Sequence, residues 1–320
     1  MSHIILKYIS EYRFLESFMR GDLYFNSLYY FWNGFRLEAA LKGNSDSSVK
    51  LGTSSYGQVD LFEGTIGSEP VEGTFEGSDL GDSIMADIGY RAEGFGYCDT
   101  LCFYRSDITH AILPNGQTLI NYQTNNLMGS FGGYVAIIHD KEKLIRRIGE
   151  KVESKGYKYL CGNVKYRRPT LNGGPAKEGA SVITVEGGFV DMNDSDIMSR
   201  VKGRRDAFVK STQYEYQNEW RVVLYRGKKD HNAYTLSVGD LSDIVSWVKV
   251  EDLTSGLNEV LNKGLVKFSA DNWRGNIGRK ELKELFYKLG DYKAQKVVAI
   301  REEKIAELYE RGEIQSPKTI

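Results

Sequence analysis

Apolar residues recur along this chain at two spacings, and the switches between them lay out its elements. Residues 3–9, HIILKYI, are β-branched and apolar and predict a short strand. Ser10 reads as a helix N-cap with Arg13 at the third helical position, an incomplete capping box. Tyr12, Leu15, Phe18 and Met19 then repeat at helical spacing, and Arg20-Gly21 places a glycine where helices commonly end. Asp22 to Asn26 predicts a second strand, followed by an aromatic run from Ser27 to Trp32.

Residues 42–83 lose this pattern and turn polar and Gly/Ser/Thr-rich, as in a long loop or a peripheral hairpin region. Periodicity returns with a strand at 97–106, a helical turn leading into a strand over 127–138, and an amphipathic helix over 141–155. That helix carries its stripe on Leu144, Ile145, Ile148 and Val152. Residues 159–166 predict a strand. The stretch 167–209 holds a Gly-rich loop at 172–174, a strand near 182–185 and a basic helix around 200–205. Beyond 232, strands are predicted at 233–238 and 244–250, a helix at 252–263, a turn at 273–275, and charged helices at 279–289 and 291–312.

This order gives an α+β class with a mixed, mostly antiparallel sheet, flanking helices and a helical C-terminal part. Residues 1–230 read as a core with the insertion 42–83, and 231–320 as an extension packed on it. The extension is a candidate for partner contact or oligomerisation.

Composition narrows the picture. The 320 residues are 41% hydrophobic and 27% charged with net charge −1, so no global field drives the chain onto nucleic acid or membrane. No stretch has the ~20 apolar residues that a membrane span needs, and the N-terminus lacks the marks of a signal peptide. Cys98, Cys102 and Cys161 form no disulfide or metal framework, and His3, His110, His139 and His231 are scattered. A reduced, cytoplasmic setting fits this usage, and no metal is expected. The basic stretch with Lys165, Lys177, 200–205 and Lys210 suits a pyrophosphate, a nucleic-acid backbone, or plain solvation.

The most informative stretch is 210–225, KSTQYEYQNEWRVVLY. Its second half predicts a strand, and alternation would put Glu215, Gln217, Glu219 and Arg221 on one face and Tyr216, Trp220 and Val222 on the other. Two readings are open. The polar face is a solvated one with a Glu219–Arg221 or Glu215–Arg221 ion pair, or it is a site whose polar groups meet a ligand.

Gln-x-Glu on an edge strand resembles a pattern of the ADP-ribosyltransferases, in which the Glu holds a ribose hydroxyl of NAD and the residue two before it helps choose the acceptor. The opening strand, helix, Gly turn and LYFNSLYYFW resemble the start of that fold. Lys7 or Tyr8 stands where that family has a strand-one His or Arg, and Tyr30, Phe31 and Tyr24 correspond to its nicotinamide-stacking aromatic. The chain is also similar, over about residues 4–225, to a bacterial and phage domain family that opens LYKY, continues with a CFS strand and closes on K-x-x-x-Y-x-x-E-x-E-W-R. Here these appear as LKY at 6–8, CFYRS ending in Ser106, and Lys210 to Arg221; Gly129 and Phe131 replace that family's Trp and His.

The resemblance implies an ADP-ribosyltransferase-type sheet core and an enzyme that uses NAD as substrate and modifies a protein or nucleic acid, with a toxin or phage-defence effector as its setting. It implies Glu219, Gln217 and Arg221 as catalytic residues, and Lys7, Tyr8, Tyr24, Tyr30, Phe31, Ser106 and Lys210 as NAD contacts. Water in place of the acceptor makes the same site an NAD glycohydrolase. Two other classes stand beside it: a non-catalytic interaction module, and a metal nuclease using Asp60, Glu63, Glu215 and Glu219.

Overall fold

The computed structural model describes residues 2–31, 66–72, 85–112, 118–122, 124–167, 187–191, 206–268, 273–278, 281, 284–285, 288–289 and 293–300. In chain order its elements begin with β1 (Ser2–Ile9), α1 (Tyr12–Met19), β2 (Asp22–Ser27), β3 (Ile66–Glu72), β4 (Met85–Ala92), β5 (Asp99–Ile112) and β6 (Thr118–Tyr122). Next come β7 (Tyr134–Ile138), α2 (Lys141–Ser154), β8 (Lys158–Asn163), β9 (Lys165–Arg167), β10 (Gly187–Asp191), β11 (Val209–Ser211) and β12 (Glu219–Tyr225). The last are β13 (Tyr234–Ser237), β14 (Val245–Lys249), α3 (Leu253–Asn262), β15 (Arg274–Gly275) and β16 (Lys293–Ile300). The class is α+β.

The chain divides into two units. The first comprises Met1–Ser27, Cys98–Lys165 and Gln213–Gly278, so residues 231–278, grouped with a C-terminal extension on sequence, fall in the same unit as β1. Its sheet runs β14-β7-β1-β5-β12-β8-β15, with β2 and β6 also on β5 and β13 on β2. All of these pairs are antiparallel.

Both faces of this sheet are covered. Ile5, Ile9, Leu101, Phe103, Ile138, Trp220, Val222 and Leu224 pack with Leu15 and Phe18 of α1 and with Leu144, Ile145, Ile148 and Val152 of α2. Alternate residues Ile4, Leu6, Tyr104, Ile108, Val135 and Ile137 pack with Leu253, Leu257, Val260 and Leu261 of α3. The period of two thus splits β1 cleanly between two cores. All seven residues of β12 are buried. The strand is hydrogen-bonded on both sides, to β5 and to β8, so it is interior and not an edge strand.

In the second unit, β10-β16-β4-β3 form a four-stranded sheet, and β9 pairs with β11. One sequence expectation changes here. Lys293–Ile300 lies within the helix expected over 291–312 but is strand β16, in keeping with its β-branched Val297, Val298 and Ile300. Within 42–83, Ile66–Glu72 is a strand paired with β4, which agrees with a hairpin region. The Gly-rich loop at 172–174, the strand near 182–185, the basic helix at 200–205, Lys177, Asp60 and Glu63 lie outside the described residues.

Three local expectations are also corrected. The N-cap of α1 is Glu11 rather than Ser10, without a side-chain capping bond. Arg274–Gly275 is a short strand on β8, not a free turn. The expected strand face from Glu215 to Arg221 is interrupted: Thr212–Gln217 is a 3-10 turn and β12 begins only at Glu219. Among the described residues no helix is long and apolar enough to cross a membrane.

Candidate functional site

The site is built where that 3-10 turn becomes β12. The WRVVLY run favours a strand through its β-branched and aromatic residues. Just before it, Asn218 takes φ +33°, and the chain reverses from turn to strand at that residue. Asn218 N–H donates to Glu215 O at 3.0 Å, and Asn218 O accepts from Arg105 N at 2.8 Å. The kink moves Glu215 off the strand; it is exposed, whereas Gln217 and Glu219 are buried at 5%.

Glu219 and Arg221 keep the expected relation. They lie two apart on β12 and therefore on one face, opposite Tyr104 and Cys102 of β5 respectively. Arg221 Nε donates to Glu219 Oε1 at 2.6 Å, and the two side chains are 0% and 4% exposed. A charge-assisted bond of this length holds the carboxylate in one orientation. Gly162 stands opposite Arg221 on β8; a Cβ there would meet the Trp273 ring at 2.8 Å.

Other expected residues join this region of the first unit. Lys7 Nζ donates to Cys102 O at 2.9 Å and lies 5.9 Å from the Phe103 ring centre. Burial lowers the Lys7 pKa, while the Cys102 and Glu219 side chains pull it back up. Tyr8 stands edge-on to Tyr104, ring centres 6.1 Å apart. Its phenol is pushed well above its usual range by burial and then by Tyr104. Ser106, fully buried, follows Tyr104 by two residues on β5 and so shares its face. Gln217 Nε2 lies 3.4 Å from Tyr216 OH.

The remaining candidates are Tyr24 and three residues of the second unit. Tyr24, on β2 opposite Thr235, is 58% exposed. Tyr30, Phe31 and Lys210 belong to the second unit. There Tyr30 and Phe31 meet edge-to-face at 5.8 Å, and Lys210 Nζ lies 6.0 Å from the buried Phe31 ring. Among the described residues no group of three His, Cys, Asp or Glu could hold a metal ion.

Sequence reasoning missed Tyr104 and Asn218. Asn218 carried one signal, since Asn is among the residues that tolerate left-handed backbone. It also missed two pairs of distant residues: Lys141 Nζ with His3 Nε2 at 2.8 Å, and Arg226 with Asp99. No local pattern announces either.

The arrangement offers a fixed carboxylate flanked by a guanidinium with phenols on the same face, whereas Lys7 alternates with Leu6 and Tyr8 on β1 and stands over Phe103 on the other face. Such a carboxylate can oppose positive charge that develops on a bound group. Comparison with protein-family models finds none that matches, and no curated protein or solved structure matches significantly.

Proposed function

We propose that this chain is an NAD-dependent ADP-ribosyltransferase that modifies a protein or nucleic acid. The observation that carries the reading is the Glu219 carboxylate, fixed by Arg221 Nε at 2.6 Å at the start of β12. In this chemistry the bond between nicotinamide and ribose C1′ breaks, its electron pair leaves with nicotinamide, and C1′ gains oxocarbenium character. Glu219 would oppose that charge and hold a ribose hydroxyl, and Arg221 would set the angle of its carboxylate. Tyr8, already edge-on to Tyr104, would contact nicotinamide. Gln217 would orient the acceptor, whose attack on C1′ completes the transfer with loss of its proton. Water in that role makes the protein an NAD glycohydrolase.

One observation favours a different reading. Glu219 is 4% exposed on its side chain and its charge is met by Arg221 within a covered sheet face, as in a structural ion pair. On that reading the chain is a non-catalytic interaction module.

The test is incubation with NAD labelled in the adenylate, together with cell protein, DNA or RNA, for wild type and Glu219→Gln. Gln keeps an oxygen for Arg221 Nε and so retains the local geometry. Label on a macromolecule, lost in the variant by a factor on the order of a hundred or more, supports the transferase. Nicotinamide release without transfer supports the glycohydrolase. Absence of both NAD binding and turnover sinks the enzyme reading and leaves the module.

A further inference from the structure

We infer that Asn218 is a positioning residue for Glu219, because its side-chain amide takes the place of a missing main-chain donor in the β5–β12 ladder. The inference rests on the reading of Glu219 given above. In an antiparallel ladder a hydrogen-bonded pair exchanges two bonds, each residue donating N–H to the other's carbonyl. Glu219 stands opposite Tyr104, so Asn218 and Arg105 are the next pair.

Half of that exchange is regular: Arg105 N donates to Asn218 O at 2.8 Å. The other half cannot be, because at φ +33° the Asn218 N–H is turned back onto Glu215 O. Arg105 O is met instead by Asn218 Nδ2, at 2.6 Å. The same nitrogen lies 3.3 Å from Asp107 Oδ2, which Arg105 Nη2 also contacts at 3.1 Å.

Asparagine meets both demands of this position. Glycine tolerates the backbone but brings no donor. Aspartate tolerates it but sets a carboxylate against Arg105 O and Asp107, all acceptors. Alanine fails on both counts. Asn218 is the one non-glycine residue with positive φ among the described residues, and strain of this kind persists only where surrounding bonds hold it. Because of the clamp, β12 starts at full register on its first residue, and that residue is Glu219. Without it the strand end would fray and the carboxylate would lose its fixed place opposite Tyr104.

The test measures nicotinamide release from NAD for wild type, Asn218→Gly and Asn218→Asp, with thermal melts alongside. Asn276→Ala controls for plain loss of stability, since Asn276 caps Tyr159 N and Tyr157 O near the other end of the β8–β12 pair. Misplacement of a reacting group by a fraction of an ångström predicts kcat lower by on the order of tenfold to a hundredfold in both Asn218 variants. The KM for NAD should stay within about threefold, and Asn276→Ala should keep wild-type kcat. The Asn218→Asp deficit should shrink at low pH, where the new carboxyl gains a proton to donate. An active wild type with both Asn218 variants within about twofold of its kcat overturns the inference and leaves Glu219 in place. A wild type that never cleaves NAD overturns the reading of Glu219 and the role of Asn218 with it.

Discussion

Arg226 grips Asp99 with two nitrogens, Nε to Oδ2 at 2.6 Å and Nη2 to Oδ1 at 3.1 Å, at 5% and 0% side-chain exposure. The guanidinium also reaches Asp230 at 3.1 Å and stacks 4.8 Å from the Tyr234 ring centre. The cluster ties the start of β5 to the connection between β12 and β13. Burial pushes the Asp99 carboxyl up to about 6, against the opposing pull of Arg226 and with a further push from Asp230.

That shift sets a pH dependence of stability. Asp99 holds its proton more tightly in the folded chain than in the unfolded one, where its ordinary value is 3.8. Its contribution is therefore fully present below that value and is lost as pH rises through about 6. Each unit of the shift corresponds to about 1.4 kcal/mol. Urea melts across this window should show a falling component in wild type that Asn in place of Asp99 removes. The same slope in Asp99→Asn would show that another group is responsible.

Two thiols should be silent in the native protein. Burial pushes the Cys161 thiol up to about 12, and its Sγ donates to Arg274 O at 3.4 Å. Burial, with the Asp99 charge, also raises Cys98 well above its ordinary range. Thiolate is the reacting form, so an alkylating reagent near neutral pH should leave both unmodified until denaturant is added. Mass spectrometry of the labelled native protein is the check; fast native labelling at Cys98 or Cys161 contradicts the packing described.

Much of the first unit is written locally in the sequence. Leu144, Ile145, Ile148 and Val152 announce α2 by spacing alone, and all four are buried. Gly21 marks the end of α1, and its φ of +88° bears that out. The entry to β12 is different. Glu215, Gln217, Glu219 and Arg221 alternate as a strand face would, yet a side-chain bond from Asn218 to a strand more than a hundred residues earlier breaks the run. A strand's pattern also says nothing of how many neighbours it has. β12 is flanked by β5 and β8, and the polar face that had two readings, solvated or a site, is buried. The Glu219–Arg221 contact was legible from period two; its burial was not.

Glycine positions test the packing of the same unit. A Cβ on Gly21 would fall 1.9 Å from Gly239 O, a backbone atom, at a positive φ. Gly21→Ala should abolish folding or cost several kcal/mol, on the order of the largest single-residue effects. Gly256, on α3, faces Val248 of β14, whose Cγ1 lies 2.5 Å from the would-be Cβ. Gly256→Ala gains about 1 kcal/mol of helix propensity but overpacks against a side chain, which typically costs about 1–3 kcal/mol. The double variant Gly256→Ala/Val248→Ala should be more stable than the two single effects sum to. Strict additivity in denaturant melts would refute the contact.

The last prediction separates what Glu219 does for the fold from what it does for chemistry. Arg221 is fully buried and Glu219 nearly so, with one bond of 2.6 Å between them. Removing one partner of a buried pair typically costs roughly 3–5 kcal/mol, whereas replacing both by apolar groups of similar size is often close to neutral. Glu219→Ala and Arg221→Met should each be strongly destabilising. Glu219→Gln should be milder, because its amide oxygen still accepts from Arg221 Nε. Glu219→Leu/Arg221→Met should recover much of the loss. NAD turnover must follow another order if Glu219 is catalytic: it should be absent in Glu219→Gln although that variant is folded, and absent in the double variant although its stability returns. Turnover that tracks stability across the series, returning with the double variant, would mark the pair as structural and remove Glu219 from the chemistry.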